Sequence, residues 1–102
     1  MKKEKLYFRI GEVSQILGVK PHVIRYWEQE FNLRPKRGAG MQRRYTRDEV
    51  ERLKTIRRLL YEEGFTIAGA KRKLRELSRE RGRKELLREL VEELKEIRAL
   101  LD

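Results

Sequence analysis

The 102-residue chain has no cysteine, a single histidine, a single tryptophan and only two prolines. Without cysteine there can be no disulfide, thiolate zinc site, iron–sulfur cluster or thiol redox switch. One histidine without companion ligands does not make a metal site. No apolar run approaches the length needed to cross a bilayer. The opening M-K-K-E-K-L-Y-F-R-I-G carries basic residues but no apolar stretch of the secretory kind. These absences point to a soluble chain in the cytoplasm. Catalytic signatures are lacking too: there is no nucleophile beside a base and no phosphate-cradling glycine loop of the P-loop or Rossmann type. The expectation is a protein that is not an enzyme and uses no cofactor.

What is abundant is charge. Charged residues make up 43% of the chain, the net charge is +10 and the isoelectric point is near 10.2. The excess is unevenly placed, at +7 over residues 1–46, +4 over 47–82 and −1 over 83–102. A positive field that fades toward one end fits a footprint for a polyanion better than a uniformly solvated surface does. The hydrophobic fraction of 38% is enough for one modest helical core.

The order of elements sharpens this. A short helix is predicted over Glu12–Leu17, with Gly11 near its N-cap and Gly18 ending it in the left-handed conformation. Pro21 suits the first position of a second helix running to about Phe31 and stopped before Pro35. Gly38 and Gly40 mark a hairpin tip flanked by Arg34 to Arg37 and Gln42 to Tyr45. Thr46 and Glu49 form a capping box for a third helix over Arg47 to about Glu63, with Val50, Leu53, Ile56, Leu59 and Leu60 on its apolar face and Gly64 just past its end. Thr66 caps a fourth helix that stops at Gly82, and a fifth runs from about Arg83 to Leu101. The predicted fold is mainly α: a winged helix-turn-helix with a small β-hairpin wing and a second helix pair over residues 1–82, then a C-terminal helix over 83–102.

On the second helix, Ile24, Trp27 and Phe31 form an apolar set, while His22, Arg25, Tyr26 and Gln29 share another face. A stripe of hydrogen-bonding heads is what reading base edges requires, although it also describes an ordinary wet helix face. Lys20 precedes this stripe. Arg25 could instead pair with Glu28 or Glu30 at the surface, and Trp27 reads as core. The wing offers Lys36, Arg37, Arg43 and Arg44 for phosphate contacts, which position a protein without reading sequence. Strand alternation puts Arg43 and Tyr45 on one face and Arg44 on the other.

The chain resembles the MerR family of bacterial transcription regulators at R-I-G-E-V-S-Q-I-L-G-V, V-I-R-Y-W-E, L-R-P, Q-R-R-Y-T-R-D-E-V-E-R-L and G-F-T-I-A-G-A, over about residues 7–77. Together these motifs are specific, whereas each alone is weak. The resemblance implies a second wing after the third helix, a dimer formed through an antiparallel coiled coil, and a near-palindromic operator that is bent and underwound. It implies double-stranded DNA as partner, RNA polymerase at the promoter as a further one, and a nucleoid-associated location. Its contact positions fall at His22, Arg25, Tyr26, Arg43 and Tyr45, with second-wing contacts from Thr66 to Lys71. Metal-sensing relatives use cysteines, and drug-sensing relatives carry a large C-terminal domain. Only about 20 residues follow Gly82 here, so no small-molecule effector is expected.

In the last helix Leu87, Leu90, Leu94, Ile97 and Leu101 step by 3, 4, 3 and 4, a heptad seam. Such a stripe needs a partner, and a homodimer would present two reading heads related by a two-fold axis. Two other readings remain open: an architectural DNA-bending protein such as a recombination directionality factor, and an adaptor whose last helix docks a partner protein.

Overall fold

A computed structural model describes residues 6–33 and 43–101, together with the backbone of Lys36 and Arg37. The expected hairpin tip at Gly38 and Gly40, with Arg34, Pro35 and Gln42 beside it, lies outside the described residues. The chain parts into two units, Met1–Ala70 and Lys71–Asp102.

The first unit opens with strand β1 (Tyr7–Phe8), which leads into helix α1 (Ile10–Leu17). This helix starts two residues before the expected Glu12, and Gly11 lies inside it. Arg9 is its N-cap and has no side-chain acceptor to offer. Glu12 supplies the other half of a capping box, accepting from the Arg9 N–H at 3.1 Å, so the helix starts without a Ser, Thr or Asp cap. At the far end Gly18 adopts φ 68°, and the Val19 N–H reaches back to the Ser14 carbonyl at 3.3 Å. That bond closes a Schellman motif at a carbonyl that also accepts from the Gly18 N–H at 2.8 Å.

Helix α2 (Pro21–Glu30) begins with proline at its first position, as expected. Its stop is set by Asn32 rather than Pro35. Asn32 takes φ 57°, and the Leu33 N–H donates to the Glu28 carbonyl at 2.8 Å. Asparagine is one of the few residues that enter the left-handed region at modest cost.

Strands β2 (Lys36–Arg37) and β3 (Arg43–Thr46) form the wing, and β1 pairs antiparallel with the other edge of β3. The sheet therefore has three strands in the order β1-β3-β2. Phe8 lies opposite Tyr45 and Arg37 opposite Arg43.

Thr46 ends β3 and also caps helix α3 (Arg47–Arg57). Its hydroxyl accepts from the Glu49 N–H at 3.1 Å, and its own N–H donates to the Glu49 carboxylate at 3.1 Å. The helix continues into a π-helical turn, Arg58–Glu62, before Gly64 at φ 71°. The closing bond, from the Phe65 N–H to the Leu59 carbonyl at 2.8 Å, spans one residue more than an ordinary Schellman closure, because the π turn widens the helix there. Val13, Ile24, Leu53, Ile56, Leu59 and Tyr45 are the largest fully buried side chains. Val50 is buried with them, and Leu60 is half-buried.

Thr66 caps helix α4 as expected, its hydroxyl accepting from the Gly69 N–H at 3.0 Å. The expected break at Gly82 is corrected: α4 is continuous over Ile67–Leu101, a single helix of 35 residues. One interior glycine costs only about 1 kcal/mol, and Gly82 has no second stop signal beside it. Ala70 is the last buried residue, and from Arg83 to Leu101 every residue is exposed.

Candidate nucleic-acid interface

Helix α2 is sorted by its own period. Ile24 and Trp27 are buried, and the Trp27 ring meets Tyr61 edge-on with centroids 5.7 Å apart. His22, Arg25, Tyr26 and Gln29 are all exposed, as is Lys20 at the N-cap. Among the described residues Arg25 has no ion-pair partner, and the surface pairing with Glu28 does not form. The structure thus brings His22, Arg25, Tyr26 and Gln29 onto one solvent-facing side of a helix anchored by its opposite side, with Lys20 exposed at the N-cap that precedes it. Four adjacent polar heads on a rigid element can meet the edges of a base-paired groove.

Glu28 is the residue that the sequence reading missed. It is 6% exposed, and its two carboxylate oxygens are divided between the strand's residues. One accepts the hydroxyl hydrogen of Tyr45, and the other accepts the Arg43 Nε–H at 3.0 Å. The partners are 17 and 15 residues away in sequence, so helix periodicity could not reveal them. The available signal was the strand alternation that places Arg43 and Tyr45 on one face, together with a carboxylate next to a core tryptophan.

The arrangement corrects one expected contact. Tyr45 is 1% exposed and faces the core, so its phenol is not available to DNA. Burial, then the hydrogen bond and the charge of Glu28, push its ionisation far above the ordinary range for tyrosine, with Arg43 opposing. Alternation correctly paired Arg43 with Tyr45 but did not say which face was the inner one.

Arg43 is one-quarter exposed, with Nε engaged. Arg44 points to the other face, exposed, with its guanidinium carbon 6.0 Å from the centre of the Tyr7 ring, at the outer limit of a cation–π contact. Strand β1 thus supports one wing arginine, as helix α2 supports the other. The side chains of Lys36 and Arg37 lie outside the described residues, although their backbone is in β2. In the second unit Lys71 is half-buried and engaged. Leu87, Leu90, Leu94, Ile97 and Leu101 are exposed, each by 46% or more. Among the described residues no cluster of His, Asp and Glu could hold a metal, and no helix is long and apolar enough to cross a membrane.

Residues 8–77 match the family described as MerR HTH family regulatory protein. The chain is 34% identical over 84 residues to the HTH-type transcriptional repressor CarA of Myxococcus xanthus, an alignment covering 79% of this chain and 29% of that protein. It is 33% identical over 63 residues to the putative heat shock protein HspR of Streptomyces coelicolor, covering 62% of this chain and 42% of that one. It therefore spans less than half the length of both relatives. The fold is shared with HiNmlR, a MerR family regulator lacking the sensor domain, whose crystal structure is bound to promoter DNA; the TM-score is 0.59 at 18% identity, over 88% of this chain and 76% of that one. A transcriptional regulator of the MerR family from Bacillus cereus superposes with a TM-score of 0.60 at 21% identity, over 90% of this chain and 75% of that one. At these identities the likeness to both structures is one of fold.

Proposed function

Because the chain belongs to the MerR family of helix-turn-helix regulators, we propose that it is a sequence-specific DNA-binding transcription regulator that acts as a homodimer on a near-palindromic operator and distorts it. The observation that carries this reading is the exposed stripe His22, Arg25, Tyr26 and Gln29 on a buried-backed helix, beside a wing strand bearing Arg43 and Arg44. The stripe reads base edges, while the wing arginines and Lys20 hold the phosphates that flank it; Lys71, at the second wing, is a separate phosphate contact of this reading.

Dimerisation is assigned to the seam from Leu87 to Leu101. Helix α4 would be about 52 Å long at 1.5 Å per residue, and its exposed leucines cannot be covered by one another. Charge favours an antiparallel partner: residues 71–88 carry nine Lys/Arg against three Asp/Glu, and residues 89–102 carry two against five. Two such helices running in opposite directions set each acidic end against a basic one. RNA polymerase at the promoter is the further partner of this reading, and the cytoplasmic nucleoid its location.

Selection of sites from a random duplex library at physiological salt, with competitor DNA present, tests the reading. An enriched inverted repeat is the expected result, its half-site spacing reporting the separation of the two heads. Tight binding with no enriched motif would overturn sequence-specific regulation and favour a DNA-bending architectural protein.

A further inference from the structure

Glu28 belongs to the helix that carries the exposed stripe, yet at 6% exposure its own carboxylate is closed to DNA. Its two oxygens hold the hydroxyl of Tyr45 and the Nε–H of Arg43. A guanidinium has five N–H donors in a planar fork. At Arg43 the inner donor is taken, whereas among the described residues the four on the terminal nitrogens have no other partner. An arginine free on a surface strand must surrender rotamer freedom when it clamps a phosphate. One already gripped at Nε has surrendered it on folding, with its fork fixed in plane.

We propose that Glu28 is the positioning residue of the wing: it grips Arg43 through Nε so that the terminal nitrogens are presented to a DNA phosphate, and through Tyr45 it locks the strand bearing Arg43 to the helix that reads the bases. The proposal rests on the DNA-binding reading above and adds the residue that makes helix and wing one rigid clamp. Glu28 lowers the net charge of the clamp, so its contribution is geometric. A residue that merely balanced charge would not need both oxygens committed to one strand.

The test compares the full chain, Arg43→Ala, Glu28→Gln and the double variant on one duplex across a range of NaCl concentrations. Loss of one phosphate contact flattens the plot of log K against log salt by about 0.9. Arg43→Ala is expected to do this, and Glu28→Gln to do nearly the same while binding about tenfold more weakly. The double variant is expected to lose nothing further. A residue with only a structural role would reduce the folded fraction but leave the slope of the folded molecules intact. A wild-type slope in Glu28→Gln, with Arg43→Ala flattened, overturns the positioning role and leaves DNA binding standing. No salt-dependent duplex binding by the unmodified chain overturns the reading beneath it. Should Glu28→Gln fail to fold, Arg43→Lys keeps the charge but offers a single nitrogen to two partners. It is expected to bind about fivefold more weakly, and wild-type affinity there would overturn the proposal.

Discussion

Replacing Tyr45 by phenylalanine removes one oxygen from the interior and nothing else. The ring keeps its place opposite Phe8, while one oxygen of the buried Glu28 carboxylate loses its donor. Hydrogen bonds to charged groups are worth about 1.5–3 kcal/mol, so a loss of about 2 kcal/mol is expected at neutral pH. For a chain of this size that lowers the melting temperature by about 8–16 °C. The pH dependence is the more specific reading. The Tyr45 hydroxyl keeps its proton in the folded chain well above its ordinary value of 10.0. In the unfolded chain it ionises near that ordinary value. Above it, unfolding releases a proton that the folded state retains, so this contribution to stability is complete below pH 10 and declines as the pH rises past it. The decline reaches about 1.4 kcal/mol by pH 11. Phenylalanine has no such term, so the gap between wild type and Tyr45→Phe should narrow from about 2 kcal/mol at pH 8 to well under 1 kcal/mol at pH 11. Urea unfolding of both proteins at several pH values measures the gap directly. A gap below about 0.5 kcal/mol at pH 8, or one that stays constant to pH 11, would refute the buried tyrosine–glutamate contact.

Three further outcomes are expected. Arg25→Ala should relax preference at one base pair, costing about 1–3 kcal/mol there, and an unchanged selected motif would remove Arg25 from the reading role. The proposed dimer should appear in light scattering at micromolar concentration and give way to monomer in Leu94→Glu, and a dimer surviving that change would exclude the Leu87–Leu101 seam as its interface. Gly82→Ala should stabilise the chain by up to about 1 kcal/mol and raise its helical circular dichroism, because a Cβ at Gly82 meets nothing within 4 Å. A loss of stability on that change would contradict a helix that runs through Gly82.

The parts of the fold that could be read from sequence are those governed by neighbours within a turn or two. The capping box of Thr46 and Glu49, the left-handed glycines at 18 and 64, and the Thr66 cap all lie within a few residues of what they control. The exposed stripe on α2 was legible because the 3.6-residue period sets it on the side of the helix away from Ile24 and Trp27. Strand β1 is only two residues long, too short for alternation to register, and it exists because β3 offers an edge. Asn32 ended α2 before Pro35 could, through a backbone preference that is only a tendency in asparagine. Glu28 was hidden because its meaning comes from residues 15 and 17 positions away. A buried carboxylate looks like any surface glutamate until its partners fold onto it.

Thr46 is shared between a strand and a helix, ending β3 and capping α3 with no residue between them. It also lies opposite Tyr7 in the pairing with β1. The junction therefore has no slack in chain length. One residue inserted between Tyr45 and Thr46 would have to be absorbed by the strand or by the helix. On the strand side it turns Tyr45 outward and sends Arg44 toward Glu28, since side chains alternate with a period of two. On the helix side the new residue takes the N-cap position and Thr46 is drawn into the first turn, where its hydroxyl no longer caps the helix. The Thr46 junction is thus a place where an insertion fails, because neither the strand nor the helix can take up a residue without losing its facing or its cap.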